Sequence, residues 1–109
     1  MIFDYNKMES ETLENLKGGE KHLDAKMYFD GKNRFMKGKL CAGASIGMHR
    51  HEGNCEMFYI LEGEGKVIYD GKEERISEGM AHYCPEGHTH SLVNDSNSDL
   101  VFFAVIPKQ

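Results

Sequence analysis

Glycine, asparagine or aspartate interrupts every short apolar run of this chain from residue 25 onward, and that punctuation leaves room only for short strands. Residues 25–30, Ala-Lys-Met-Tyr-Phe-Asp, read as a strand, and Asp30-Gly31-Lys32-Asn33 as the turn of a hairpin. Residues 34–42 return. Residues 55–63 are rich in aromatic and branched side chains and read as a further strand. Asp70-Gly71, between Gly65–Asp70 and Lys72–Ser77, suits a type I′ turn. Glu78-Gly79 turns again, and Met80–Cys84 is a strand closed by Pro85-Glu86-Gly87. Two more strands, His90–Asn94 and Asp99–Ile106, flank the turn at residues 95–98. Many short strands with polar turns predict an all-β sandwich or barrel.

The first 24 residues differ. Ser10 is a plausible N-cap, acidic residues fill the turn after it, and Gly18-Gly19 would stop a helix there, so a short helix is expected over 10–17. The expected organisation is an N-terminal segment, 1–24, packed on a β domain formed by 25–109.

A chain of 109 residues suits one domain with a modest core. Its net charge of -5 argues against nucleic acid or an anionic membrane as partner. The longest apolar run, Val101 to Pro107, is far too short to span a bilayer as a helix. No basic stretch followed by an apolar one opens the chain, so a cytoplasmic location is expected. Cys41, Cys55 and Cys84 are odd in number and widely spaced, as expected of free thiols in a reducing compartment.

The chemistry concentrates in Gly47–Gly63. His49 and His51, two apart on a strand, point to one face. Glu56 follows at an odd offset, but residues 52–55 look like a turn, which resets the parity. A hairpin would then return Glu56 beside the histidines on a neighbouring strand. Phe58 and Ile60 would share its inward face, while Met57, Tyr59 and Leu61 face outward. His51-Glu52 also begins like the H-E-x-x-H helix of zinc proteases, but position 55 is cysteine and Gly53-Asn54 oppose a helix. His88 and His90 supply a second pair two apart. Three imidazoles and one carboxylate suit a first-row divalent ion: Mn, Fe(II), Co, Ni, Cu or Zn. Gly43–Gly47 matches the G-x-S-x-G nucleophile elbow, but a strand rather than a helix follows Ser45.

These residues resemble two known motifs. Gly43-x5-His49-x-His51-x4-Glu56-x6-Gly63 is similar to the first conserved motif of the cupin superfamily, and Gly79-x5-Pro85-x-Gly87-x2-His90-x3-Asn94 to the second. The resemblance spans residues 38–106 and implies a double-stranded β-helix, or jelly-roll barrel. It also implies that His49, His51, Glu56 and His90 bind one divalent transition metal. His88 either supports a ligand from behind or is a solvated turn residue, and the turn is the expected place. Cys55 and Cys84 are expected to pack rather than to ligate. His82 and Tyr83 are candidate proton carriers.

The resemblance implies a metal-dependent enzyme of dioxygenase, isomerase or lyase type. Its substrate would be a small polar chelator: a carboxylate, a sugar or a keto acid. The alternative is a non-catalytic small-molecule-binding or sensor module. Outward-facing Met57, Tyr59 and Leu61 suggest a homodimer interface.

Overall fold

The computed structural model describes all of residues 1–109. Ten strands follow in order: β1 (Glu11–Glu14), β2 (His22–Phe29), β3 (Asn33–Leu40), β4 (Ser45–Arg50), β5 (Glu56–Glu62), β6 (Glu64–Tyr69), β7 (Lys72–Ser77), β8 (Ala81–Cys84), β9 (Thr89–Val93) and β10 (Leu100–Pro107). They form two antiparallel sheets. The larger runs β1-β2-β3-β10-β5-β8 and the smaller β4-β9-β6-β7. This is the all-β jelly-roll barrel that the turn pattern and the two motifs predict.

Period-two burial explains how the sheets close on each other. Along β5, Glu56, Phe58 and Ile60 are buried while Met57, Tyr59 and Leu61 are exposed. Along β10, Leu100, Phe102 and Ala104 face the core, where Leu23, Leu40, Ile60 and Leu92 meet them. The expected turns form. Asp70 and Gly71 both take positive φ (47° and 82°), as a type I′ turn between β6 and β7 requires.

The N-terminal helix expected over 10–17 is not there. Glu11–Glu14 is instead an edge strand on β2, and only Leu16–Gly18 makes a single 3-10 turn. Eight residues are too few to hold a helix in isolation. Pairing with β2 satisfies the backbone and turns Leu13 and Leu16 onto the core.

That turn is fastened to β4. Ser45 N–H donates to the Glu20 carbonyl at 3.0 Å, and Glu20 N–H donates to the Ser45 hydroxyl at 2.9 Å. Gly19 and Gly47 permit the approach. A Cβ on Gly47 would overlap the Lys17 carbonyl oxygen and sit 2.8 Å from the Gly19 nitrogen. Ser45 therefore opens a strand and binds a neighbouring segment, in no way a nucleophile elbow.

Candidate metal centre

Register places the first two candidate ligands. β4 pairs with β9 so that His49 lies opposite His90. Ile46 lies opposite Leu92, so three steps along β4 match two along β9, and β4 carries a bulge between Ile46 and His49. The extra residue reverses the parity. Ile46 faces the core, Met48 is exposed, and His49 turns inward. The bulged Gly47 carbonyl then accepts a hydrogen bond from His49 Nδ1 at 2.8 Å.

Residues 51–55 cross from one sheet to the other. His51 N–H donates to the His88 carbonyl, just before β9, and Cys55 N–H donates to the Pro107 carbonyl on β10. Glu56 therefore comes from the opposite sheet, not from a neighbouring strand of a hairpin with β4. Both ends of the crossing find partners, one just before β9 and one on β10, which anchors it between the two sheets.

The four side chains converge. His51 Nε2 lies 2.9 Å from His90 Nε2, and His90 Nε2 lies 3.2 Å from His49 Nε2. Glu56 Oε1 is 3.1 Å from His51 Nε2 and 3.0 Å from His90 Nε2. All four ligand atoms fall within 4.8 Å of one another. Donors bound at about 2.1 Å are about 3.0 Å apart when they subtend a right angle at an ion, and about 3.4 Å apart at the tetrahedral angle. Four of the six separations, 2.9–3.2 Å, lie nearer the right-angle case. Four donors spaced this way fit a divalent ion and leave further positions open.

The outer ring nitrogens are also occupied. His49 Nδ1 meets the Gly47 carbonyl, His51 Nδ1 meets Asn54 Oδ1 at 2.7 Å, and His90 Nδ1 meets His82 Nε2 at 3.0 Å. A carbonyl oxygen only accepts, so Nδ1 of His49 and of His51 carries a proton. Their Nε2 atoms face the centre, and the proton a metal would displace is the one His51 Nε2 donates to Glu56 Oε1.

The charges are strongly coupled. Burial alone would raise the Glu56 carboxyl, but the imidazoles of His51 and His90 outweigh it and hold it down at about 2. The same bond to Glu56 raises His51, against its own burial. Burial lowers His49, and burial together with the neighbouring His90 lowers His82 to about 4.

A metal must displace the His51 proton, and that proton is held more tightly than in free histidine. Metal affinity is therefore expected to begin falling above pH 6.5 and to continue falling as pH drops. Competition with a chromophoric chelator from pH 8 to pH 5 measures it. A flat affinity across that range would exclude histidine ligation. In the metal-free protein, His82 adds a separate effect. Its pKa is depressed, so between about pH 6.5 and pH 4 the unfolded chain binds the extra proton and stability declines with falling pH.

The remaining sequence candidates lie elsewhere. His82 stands behind His90, and Tyr83, its neighbour on β8, is on the opposite, exposed face. His88 is half-exposed and bonds Asp70 at 2.5 Å. Cys55 and Cys84 are buried free thiols, and burial pushes Cys84 up to about 11. Cys84 Sγ lies within 4.8 Å of the His82 and His90 nitrogens, so it packs against the back of the cluster.

On its open side the cluster faces a cavity of 540 Å³, lined in part by His49, His51 and Glu56. Neither His82 nor Tyr83 lines it. Arg34 on β3 does, with its guanidinium over the Phe29 ring at 4.6 Å and one nitrogen 3.5 Å from the Met27 sulfur. Sequence reasoning missed Arg34, Asn54 and the cavity residues Leu13 and Leu16. No spacing rule links residues 13–34 to histidines that join them only through the fold. The one available signal was Asn54, lying between two candidate ligands.

Comparison with known proteins agrees with the fold. A family model for the cupin domain matches residues 38–106. A protein of Thermotoga maritima named oxalate-binding protein is 38% identical over 97% of this chain and 93% of its own. A solved structure from Thermotoga maritima, described as a predicted oxalate decarboxylase, superposes with a TM-score of 0.94 at 34% identity, covering all of both chains. KdgF from Halomonas sp. gives a TM-score of 0.81 at 21% identity, covering all of this chain and 94% of that one, which is a likeness of fold alone.

Proposed function

Because this chain belongs to the cupin family, we propose that His49, His51, Glu56 and His90 hold one divalent transition-metal ion whose open positions chelate a small carboxylate. The charge of the cavity carries this reading. The chain as a whole is acidic at -5, yet Lys17, Arg34 and Arg50 line the cavity against only Glu52 and Glu56. With a divalent ion in place the lining is strongly positive, and an anion is the ligand it attracts. Arg34 rests on an aromatic ring and a sulfur, so its donors remain available to a carboxylate. The relative named for oxalate binding supports the same ligand class.

When bound, the metal supplies Lewis-acid polarisation of the chelated oxygens. The chain's own residues orient and neutralise the anion. Turnover would also need a proton carrier beside the ligand, and neither His82 nor Tyr83 lines the cavity. Chelation of the anion is the step that the cavity lining supports. Titrating oxalate calorimetrically into protein loaded with Mn(II) or Zn(II) is expected to give saturable binding that vanishes after chelator treatment. Equal binding by loaded and stripped protein would defeat the proposal.

A homodimer fits the outer face of the larger sheet. Met57, Tyr59, Leu61 and Tyr83 remain 42–52% exposed there, an apolar strip that a second copy would cover. Sedimentation is expected at twice the 12.4 kDa chain mass. A monomer at micromolar concentration would count against it.

A further inference from the structure

The cavity is larger than the smallest chelating acid fills, and part of its lining is apolar. Oxalate has six heavy atoms and no C–H bond. Even with a water molecule's full share of about 30 Å³ allowed to each heavy atom, it fills at most about 180 Å³, a third of the 540 Å³ present. Six of the fourteen lining residues are hydrophobic: Leu13, Leu16, Met27, Met36, Ile46 and Ile106. Oxalate has nothing to offer them. An apolar wall beside a polar chelating centre suits a ligand with one end of each kind.

The origin of that wall is equally informative. Leu13, Leu16, Met27 and Met36 all precede residue 38, where the cupin-domain match begins. The four clustered metal-site residues all follow it. Leu13 and Leu16 belong to β1 and the 3-10 turn, the segment fastened to β4 through Ser45 and the Gly19–Gly47 approach. The family core thus carries the cluster, and the N-terminal third of the chain carries most of the apolar surface facing it.

Building on the chelation reading above, we propose that the ligand is a 2-oxo or 2-hydroxy acid with an aliphatic chain of several carbons. Its carboxylate and 2-oxygen chelate at the histidine–glutamate end. Its chain lies against Leu13, Leu16, Met27 and Ile106, so the N-terminal segment reads ligand length. No bond is made or broken in this step.

The test is a homologous series, pyruvate, 2-oxobutanoate, 2-oxopentanoate and 2-oxohexanoate, titrated beside oxalate into protein loaded with Mn(II) and, in parallel, Zn(II). Each added methylene is expected to tighten binding about two- to fourfold, so 2-oxohexanoate binds about tenfold or more tighter than pyruvate. Leu16→Ser and Leu13→Ser are expected to flatten that gradient, weakening 2-oxohexanoate more than pyruvate. A flat or falling series in the wild-type protein, with oxalate still bound, overturns the length reading and leaves carboxylate chelation standing. Failure of every acid, oxalate included, to bind loaded protein overturns both. A variant that weakens all acids alike shows that the wall does not read length. Should either variant fail to fold, the wild-type series still decides.

Discussion

Replacing His90 by alanine is expected to lower metal affinity by well over 100-fold. His90 Nε2 stands within 3.2 Å of His51 Nε2, His49 Nε2 and Glu56 Oε1, so it is the donor that touches all the others. Its loss removes one ligand and one of the two imidazoles that hold the Glu56 carboxyl down at about 2. Removing a residue that only orients a ligand typically costs 10–100-fold in metal affinity, and loss of the ligand itself costs more. His82→Leu supplies that smaller reference effect, since His82 meets the outer nitrogen of His90 at 3.0 Å and does not belong to the four-residue cluster. His88→Ala, two residues from His90 but half-exposed and bonded to Asp70, is expected to leave metal content unchanged.

Stability gives a second readout of the same variants. An ion at 1,000 times its Kd stabilises the folded chain by about 4 kcal/mol. That increment is expected in the wild-type protein and is expected to be largely absent in His90→Ala. Elemental analysis and thermal unfolding with and without added Mn(II) or Zn(II) measure both. Stoichiometric metal retained by His90→Ala would refute the ligand assignment.

Gly47→Ala carries the second large effect, this time on the fold. The new methyl would overlap the Lys17 carbonyl oxygen and lie 2.7 Å from the Lys17 carbonyl carbon. Its neighbours there are backbone, not the end of a flexible side chain, so one of the two segments must move. The N-terminal turn is the one free to do so, because it hangs on the edge of the sheet through β1. Leaving β4, it takes Leu13 and Leu16 off the core and strips one wall from the cavity. Exposing two partly buried leucines, each worth about 1.5–3 kcal/mol when fully buried, sets the expected loss at about 3 kcal/mol. Urea unfolding reads that loss. Proteolysis that becomes rapid near residue 18 while the barrel stays intact would identify the detached segment. A wild-type unfolding midpoint would mean that the contact yields without cost.

Both variants act at places where local pattern and assembled structure supply different information. Turn chemistry is local, so Asp30-Gly31 and Asp70-Gly71 reveal their hairpins to a reader of the sequence. Period-two alternation is local as well, and it correctly separates Phe58 and Ile60 from Met57, Tyr59 and Leu61. The expected helix over 10–17 failed for the opposite reason. Its capping signals were real, but eight residues gain more by pairing with β2 and seating Leu13 and Leu16 than by closing a helix alone.

By itself the sequence determined the all-β barrel and the identity of the four converging side chains, because strand period, turn residues and two spaced motifs are written in consecutive positions. Only the tertiary structure decided how those side chains meet. The bulge at Gly47 turns His49 inward against the parity set by Ile46, and it depends on pairing with β9. The crossing at residues 51–55 brings Glu56 from the opposite sheet, and it depends on carbonyls at His88 and Pro107. Lys17 and Arg34 of the cavity lining, and four of its six apolar residues, come from residues 13–36, distant in sequence from every histidine of the cluster. Those contacts are long-range, and no local pattern encodes which strand lies across the barrel.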